Sequence, residues 1–143
     1  MAAYSRVSSQ RLATCHADLQ LIFNTVIERG YDHSILCGHR DKQMQNIALK
    51  KGLSQLAWPD SKHNKKPSMA VDAGPYFLDL RNTDWNDEKA FSKFAGYVCA
   101  IADELLKTGK IKHKLRWGGD WDSDGRTSDE RFIDLPHFEL VPV

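Results

Sequence analysis

Three residues of this chain carry a recognisable chemistry: His63, Asp72 and His137. Two imidazoles and one carboxylate are a zinc-ligand set. Three protein ligands leave a fourth tetrahedral position open, as in a catalytic rather than a structural site. The residues stand in two phrases, Ser61-Lys62-His63-Asn64-Lys65-Lys66-Pro67-Ser68-Met69-Ala70-Val71-Asp72 and Asp134-Leu135-Pro136-His137-Phe138-Glu139-Leu140. Asp134, three residues before His137, is a second carboxylate placed to act as general base on a water. The residues alone also allow the reverse assignment, with Asp134 on the metal and Asp72 as base. In a chain with 6 His and 19 acidic residues, one His–Asp pair carries little weight. Context adds it. Ala70-Val71-Asp72-Ala73 and Phe138-Glu139-Leu140-Val141 read as strands with one polar group among apolar neighbours. A buried carboxylate or imidazole needs a partner, and a shared metal satisfies both. The set predicts a zinc-dependent hydrolase.

Four phrases in one order carry a resemblance: Ser-Lys-His; Pro67-Ser68-Met69-Ala70-Val71-Asp72 followed by Pro75-Tyr76; Arg116-Trp117-Gly118-Gly119-Asp120-Trp121; and Asp134-Leu135-Pro136-His137-Phe138-Glu139-Leu140. From about Cys37 to Val141 the chain resembles the phage branch of the peptidoglycan metallopeptidases. This is the D-alanyl-D-alanine carboxypeptidase / L-alanyl-D-glutamate endopeptidase family, similar in fold to the hedgehog signalling domain. The resemblance implies zinc on His63, Asp72 and His137, Asp134 as general base, and Arg40 and Gln45 as substrate holders. It implies a peptidoglycan stem peptide as substrate and a phage endolysin role in host lysis. The chain departs from the wider family between its first His and its Asp. The separation is nine residues, with Lys65-Lys66-Pro67-Ser68 in the turn where the family has Gly and a shorter spacing. That bears on the substrate rim more than on the metal.

Other residues near these phrases have two readings each. The planar fork of Arg40, just after Gly38, suits a carboxylate; it could equally form an ion pair with Asp41 or another acid. Ser61 could bond substrate or cap a turn. Glu139, two residues beyond His137, shares its sheet face and could hold an imidazole N–H or sit at the surface. His33, His39 and His113 have no partner phrase and read as surface residues, with His39 close enough to Arg40 to line a cleft. Asp120-Trp121-Asp122-Ser123-Asp124-Gly125 is the first half of a calcium loop, but Arg131 stands where a bidentate Glu is needed. A polar substrate loop is the preferred reading.

Elements must position these groups. Ser8 or Ser9 caps a first helix to about Arg29, stopped by Gly30, with Leu12, Cys15, Leu19, Ile22, Phe23 and Val26 as its apolar stripe. His16 lies beside that stripe, partly exposed. Ser34–Cys37 is a strand. Asp41 caps a second helix to about Lys51, ended by Gly52. Leu53–Asn64 is loop, with Trp58-Pro59 expected over the site. Val71–Pro75 is the central strand. Asp84 or Asn86 caps a third helix to about Thr108, burying Phe91, Phe94, Ala95, Val98, Ala102 and Leu105. Lys114–Trp117 and Phe138–Val141 are strands around a long loop, Gly118–Ile133. The expected class is α+β, a small, mainly antiparallel sheet with helices packed against it.

Composition narrows the function. A length of 143 residues predicts one domain over 1–143. A net charge of +1 excludes a general polyanion binder, so no nucleic-acid partner is expected. Lys62, Lys65 and Lys66 make a local basic rim beside His63 that could attract an acidic peptide. No apolar run reaches the length of a membrane span, and the start lacks a signal-peptide core. The expectation is a monomer made in the host cytoplasm and released to the wall through a holin. Cys15, Cys37 and Cys99 lack any metal spacing and read as small buried hydrophobes. Two rivals remain: a non-catalytic, zinc-stabilised wall-binding module, which needs no base at Asp134, and a calcium- or nucleic-acid-binding protein.

Overall fold

Alternation along three strands explains the architecture. Val71 and Ala73, Phe138 and Leu140, and Leu115 and Trp117 point to one sheet face and are buried together with the helices. Asp72, His137, Glu139 and Arg116 alternate with them and face the other way. In the computed structural model, which describes residues 2–143, β1 (His33–Cys37), β2 (Ala70–Pro75), β3 (Lys114–Trp117) and β4 (His137–Val141) form one antiparallel sheet. The strand order is β1-β2-β4-β3. This is the α+β arrangement expected from the sequence. Helices α2 (Ala17–Glu28) and α4 (Glu88–Lys107) pack on its apolar face around Leu19, Ile22, Phe23, Phe94, Val98 and Phe138. Helix α3 (Lys42–Lys50) and a 3-10 turn (Lys62–Asn64) flank the polar face.

The expected first helix is two. Helix α1 (Arg6–Leu12) is capped by Ser5, and α2 by His16, whose ring accepts from the Asp18 amide. The apolar stripe runs through both and conceals the break. Tertiary pairing causes it: Ser68 N donates to Thr14 O and His16 N donates to Ser68 O, both at 2.9 Å, so these groups are withdrawn from helical bonding. Gly38 packs into the break, where a Cβ would lie 2.3 Å from the Arg11 carbonyl and the Thr14 hydroxyl. Helix α1 also covers the free edge of β1. Ser8 Oγ accepts from Ile35 N at 3.0 Å, and Arg11 donates to Ile35 O at 3.1 Å.

The cap of α4 is Asp87, not Asp84 or Asn86; its carboxylate accepts from Ala90 N. His33 is corrected from surface to core. It opens β1 on the apolar face, 2% exposed, against the rings of Tyr4, Phe23 and Phe94. His16 is half-buried. So is His113, which bonds to the Asp18 carboxylate at 2.8 Å and ties the start of β3 to α2. Cys15 is buried, Cys37 and Cys99 are half-buried, and all three are free thiols. No helix among the described residues is long and apolar enough to cross a membrane.

Candidate metal centre and cleft

Sheet register assembles most of the site. Asp72 of β2 stands opposite His137 of β4, and Glu139 of β4 stands opposite Arg116 of β3. His63 arrives from the 3-10 turn. Ser61 caps that turn, accepting from His63 N, while Asn64 Oδ1 accepts from Ser61 N. Arg40 N donates to His63 O at 2.8 Å, so the turn is tied to the segment after β1.

Three donor atoms converge. His63 Nε2 lies 3.2 Å from Asp72 Oδ1 and 3.3 Å from His137 Nδ1, and His137 Nδ1 lies 3.3 Å from Asp72 Oδ1. Ligands at about 2.0–2.1 Å around a tetrahedral ion are separated by about 3.3 Å, so the three atoms already sit at the edges of such a polyhedron. Backbone and side-chain acceptors set both ring tautomers. His63 Nδ1 donates to Gly38 O at 2.7 Å, and His137 Nε2 donates to Glu139 Oε1 at 2.8 Å. Each ring therefore turns its remaining lone pair to the common point, the orientation that outer hydrogen bonds impose on metal-bound imidazoles. Two imidazole nitrogens and a carboxylate this close need a positive charge among them, either ring protons paired with Asp72 or a metal ion in their place. The donor set fits a divalent metal.

Electrostatics sharpen the assignment of the two carboxylates. Burial raises the Asp72 carboxyl, but the His63 and His137 rings outweigh it and hold the group well below the usual carboxylate range. Burial opposes charging His63, and Asp72 overrides it, lifting His63 to about 10. Asp134 behaves oppositely. Burial first, then repulsion from Asp72, pushes it up to about 6. Its Oδ2 is 3.9 Å from His137 Nδ1, beside the converging atoms and outside their triangle. Asp72 is thus the carboxylate held charged among the converging atoms, and Asp134 is the one kept closer to its neutral form beside them. Glu139, left open between two readings, is buried. Burial raises it, but His137 and Arg116 bring it to about 2.

Asp134, His63, His137, Arg40, Ser61, Lys62, Arg116 and Glu139 line a cleft of about 360 Å³ whose apolar wall is Leu53, Leu56, Trp121 and Phe132. Trp58-Pro59 does not form this wall; Leu53–Leu56 and Asp60 stand there instead. His39 also lies outside it. Arg40 reaches the cleft with both terminal nitrogens engaged, Nη1 on Gln45 Oε1 at 3.0 Å and Nη2 on Asp72 Oδ2 at 3.3 Å. Of the two readings of Arg40, the ion pair is present, with Asp72 as the acid rather than Asp41. Gln45 is fully buried and lies outside the cleft wall. Its Oε1 accepts from Arg40 and Asn64, and its Nε2 donates to Ser54 Oγ and Leu56 O. It supports the cleft rather than touching what enters it. Ser61 lines the cleft and is committed as a cap.

The long loop is pinned to the site by Trp121. Its ring stacks on Phe132, lies 5.3 Å from the His137 ring, and donates from Nε1 to Phe132 O at 2.7 Å. Asp120, Asp122 and Asp124 cluster farther out; the Asp120 and Asp122 carboxylates accept from the Asp124 and Gly125 amides, and that of Asp124 accepts from the Arg126 amide. The helix pair of an EF-hand does not flank this loop; β3 precedes it and β4 follows it. Sequence reading overlooked Arg116 and Trp121 as site residues. The alternation Leu115-Arg116-Trp117 was the available signal, because Arg116 had to face away from the core.

The family described as phage L-alanyl-D-glutamate peptidase matches residues 2–141. The chain is 34% identical over 145 residues to the L-alanyl-D-glutamate peptidase of Escherichia phage T5, a match covering 96% of this chain and 97% of that protein. Among solved structures it is similar to the Serratia marcescens L-Ala D-Glu endopeptidase ChiX. That match has a TM-score of 0.67 and 20% identity, with 98% of this chain and 91% of that one covered. At that identity the likeness is one of fold.

Proposed function

This chain belongs to the phage L-alanyl-D-glutamate peptidase family, and we propose that it is a zinc peptidase that hydrolyses the L-alanyl–D-glutamyl bond of peptidoglycan stem peptides. The observation that carries this reading is the triangle of donor atoms 3.2–3.3 Å apart with Asp134 beside it in an open cleft. Two imidazole nitrogens and one carboxylate oxygen favour zinc among the common divalent ions. When bound on His63, Asp72 and His137, zinc supplies a Lewis acid for the scissile carbonyl and lowers the pKa of water toward about 7.

The chain's own residues do the rest. Glu139 and the Gly38 carbonyl hold the two rings in the required tautomers, and Arg40 holds the second oxygen of Asp72. Asp134 takes a proton from the attacking water as the new C–O bond forms. It returns that proton to the leaving amine as the C–N bond breaks. Burial and the neighbouring Asp72 favour the protonated form of this carboxyl, which helps it hold the proton between the two transfers. Trp121, Phe132, Leu53 and Leu56 give the substrate an apolar wall beside the reacting groups. The biological reading is host-wall cleavage during lysis by a phage.

The test is metal analysis and digestion of purified peptidoglycan. The wild type should hold about one zinc per chain and release fragments with new L-alanine carboxyl ends. His63→Ala and His137→Ala should lose zinc and activity together. Full zinc in both variants would place the metal elsewhere.

A further inference from the structure

Beside the metal centre the cleft contains two cations that the chemistry above does not use, Lys62 and Arg116. They share one partner, Glu139: Arg116 Nη2 is 2.6 Å from its Oε2 and Lys62 Nζ is 3.6 Å from the same atom, while Lys62 also donates to Leu140 O and keeps further N–H groups. The other oxygen of Glu139 is taken by His137 Nε2. One carboxylate therefore faces two permanent positive charges, and the group keeps a net charge of +1. Arg116 is also under-satisfied, since its Nε is buried with no hydrogen-bond partner. Its guanidinium lies 5.7 Å from the centre of the Trp121 ring, held by the aromatic face. Both side chains remain about one-third exposed, Arg116 34% and Lys62 31%, whereas Glu139 beneath them is 8% exposed. Arg40 offers the cleft much less, because both its terminal nitrogens are occupied by Gln45 and Asp72.

We infer that Lys62 and Arg116 form a carboxylate subsite of the cleft, which grips the free carboxylate of the D-glutamyl residue in the substrate. The inference rests on the proposed reaction. A glutamyl residue joined through its amine and one of its carboxyl groups keeps the other carboxyl free, close to the scissile amide. Arg116 stands opposite Glu139, two residues along β4 from His137, about 7 Å at strand rise. That offset suits a group on the residue next to the bond being cut. A planar guanidinium with free N–H groups and a neighbouring ammonium are the donors a carboxylate needs.

The experiment compares two synthetic stem peptides, one with the free D-glutamyl carboxylate and one with a carboxamide there, on zinc-loaded wild type, Lys62→Met, Arg116→Gln and Arg116→Lys. Charge-assisted hydrogen bonds predict that wild type prefers the carboxylate peptide by about 10- to 100-fold in kcat/KM. Lys62→Met and Arg116→Gln should lose most of that preference at unchanged zinc content, and Arg116→Lys should recover part of it. Calorimetric binding of both peptides to zinc-loaded Asp134→Asn, alone and combined with Lys62→Met, reads the same preference without turnover. Variants that lose activity equally on both peptides while keeping the wild-type preference would overturn the subsite and leave the pair a support for Glu139. Should wild type cut neither peptide, the proposed reaction fails, and the binding preference alone then decides for or against the subsite.

Discussion

Two carboxylates at the site, Asp72 and Asp134, are shifted in opposite directions because their surroundings differ. Asp72 is enclosed by His63, His137 and Arg40, all of which favour its charge. Asp134 faces the same cluster from a half-buried position, with only the His137 ring nearby at 3.9 Å. Asp134→Asn should keep zinc and fold and lose about 10²–10⁴-fold in turnover, the usual contribution of a positioned base. Turnover near wild type with zinc retained removes Asp134 from that role. Arg40 makes a second, sharper prediction. Its fork joins Gln45 to Asp72 in a geometry that a lysine cannot reproduce. Arg40→Lys should therefore weaken zinc binding about 10- to 100-fold, as loss of an outer hydrogen bond to a ligand does. Competition against a chelator measures it. Unchanged zinc affinity with reduced kcat/KM would return Arg40 to a purely substrate-binding role.

At the scale of elements, strand alternation and caps were legible and the helix break was not. The apolar stripe from Leu12 to Val26 has the same helical period through both α1 and α2. Only Ser68, more than fifty residues later, pulls Thr14 and His16 out of the helix. The cleft wall at Leu53–Leu56 was equally hidden, because it is held by Gln45 through contacts without a sequence period. The turn carrying Asp134 and His137 leans on Gly118, whose absent Cβ would lie 2.2 Å from Asp134 O and 3.0 Å from His137 Cβ. Gly118→Ala forces that turn outward. Overpacking of this kind costs about 1–3 kcal/mol, and a displacement of roughly 1 Å at a reacting group costs about 10²-fold in rate. The variant should melt earlier and lose kcat by about that factor. Wild-type melting and turnover together would show a turn free to shift.

For the whole molecule, two groups link stability to conditions. Burial in the core holds His33 down at about 4, outweighing its bond to the Tyr31 carbonyl. The unfolded imidazole titrates near 6.5, so between those values the unfolded state binds the extra proton. Stability from this residue is complete above pH 6.5 and falls as pH drops toward 4, by about 3 kcal/mol in all. Urea midpoints at pH 7 and pH 4.5 should differ less in His33→Gln than in wild type. Equal differences would mean that His33 charges without penalty. The proposed zinc is the second link. Binding to the folded chain alone stabilises it by about 2.7 kcal/mol at one hundred times Kd. A chelator should thus lower the melting temperature of wild type and leave that of His63→Ala unmoved.

Residue types and local spacing were enough for the candidate donors, with Asp72 and Asp134 left interchangeable, and for the antiparallel α+β class, the strand faces and most of the core, because these depend on chemistry and on periods of two or 3.6 residues. Glu139 on the face of His137 followed from the same rule. Tertiary structure alone decided which acid pairs with Arg40, that Gln45 is buried support, that His33 is core, and that Lys62 and Arg116 converge on Glu139. Each of these depends on register or on a contact between distant segments. Such contacts leave no local pattern in the chain that makes them.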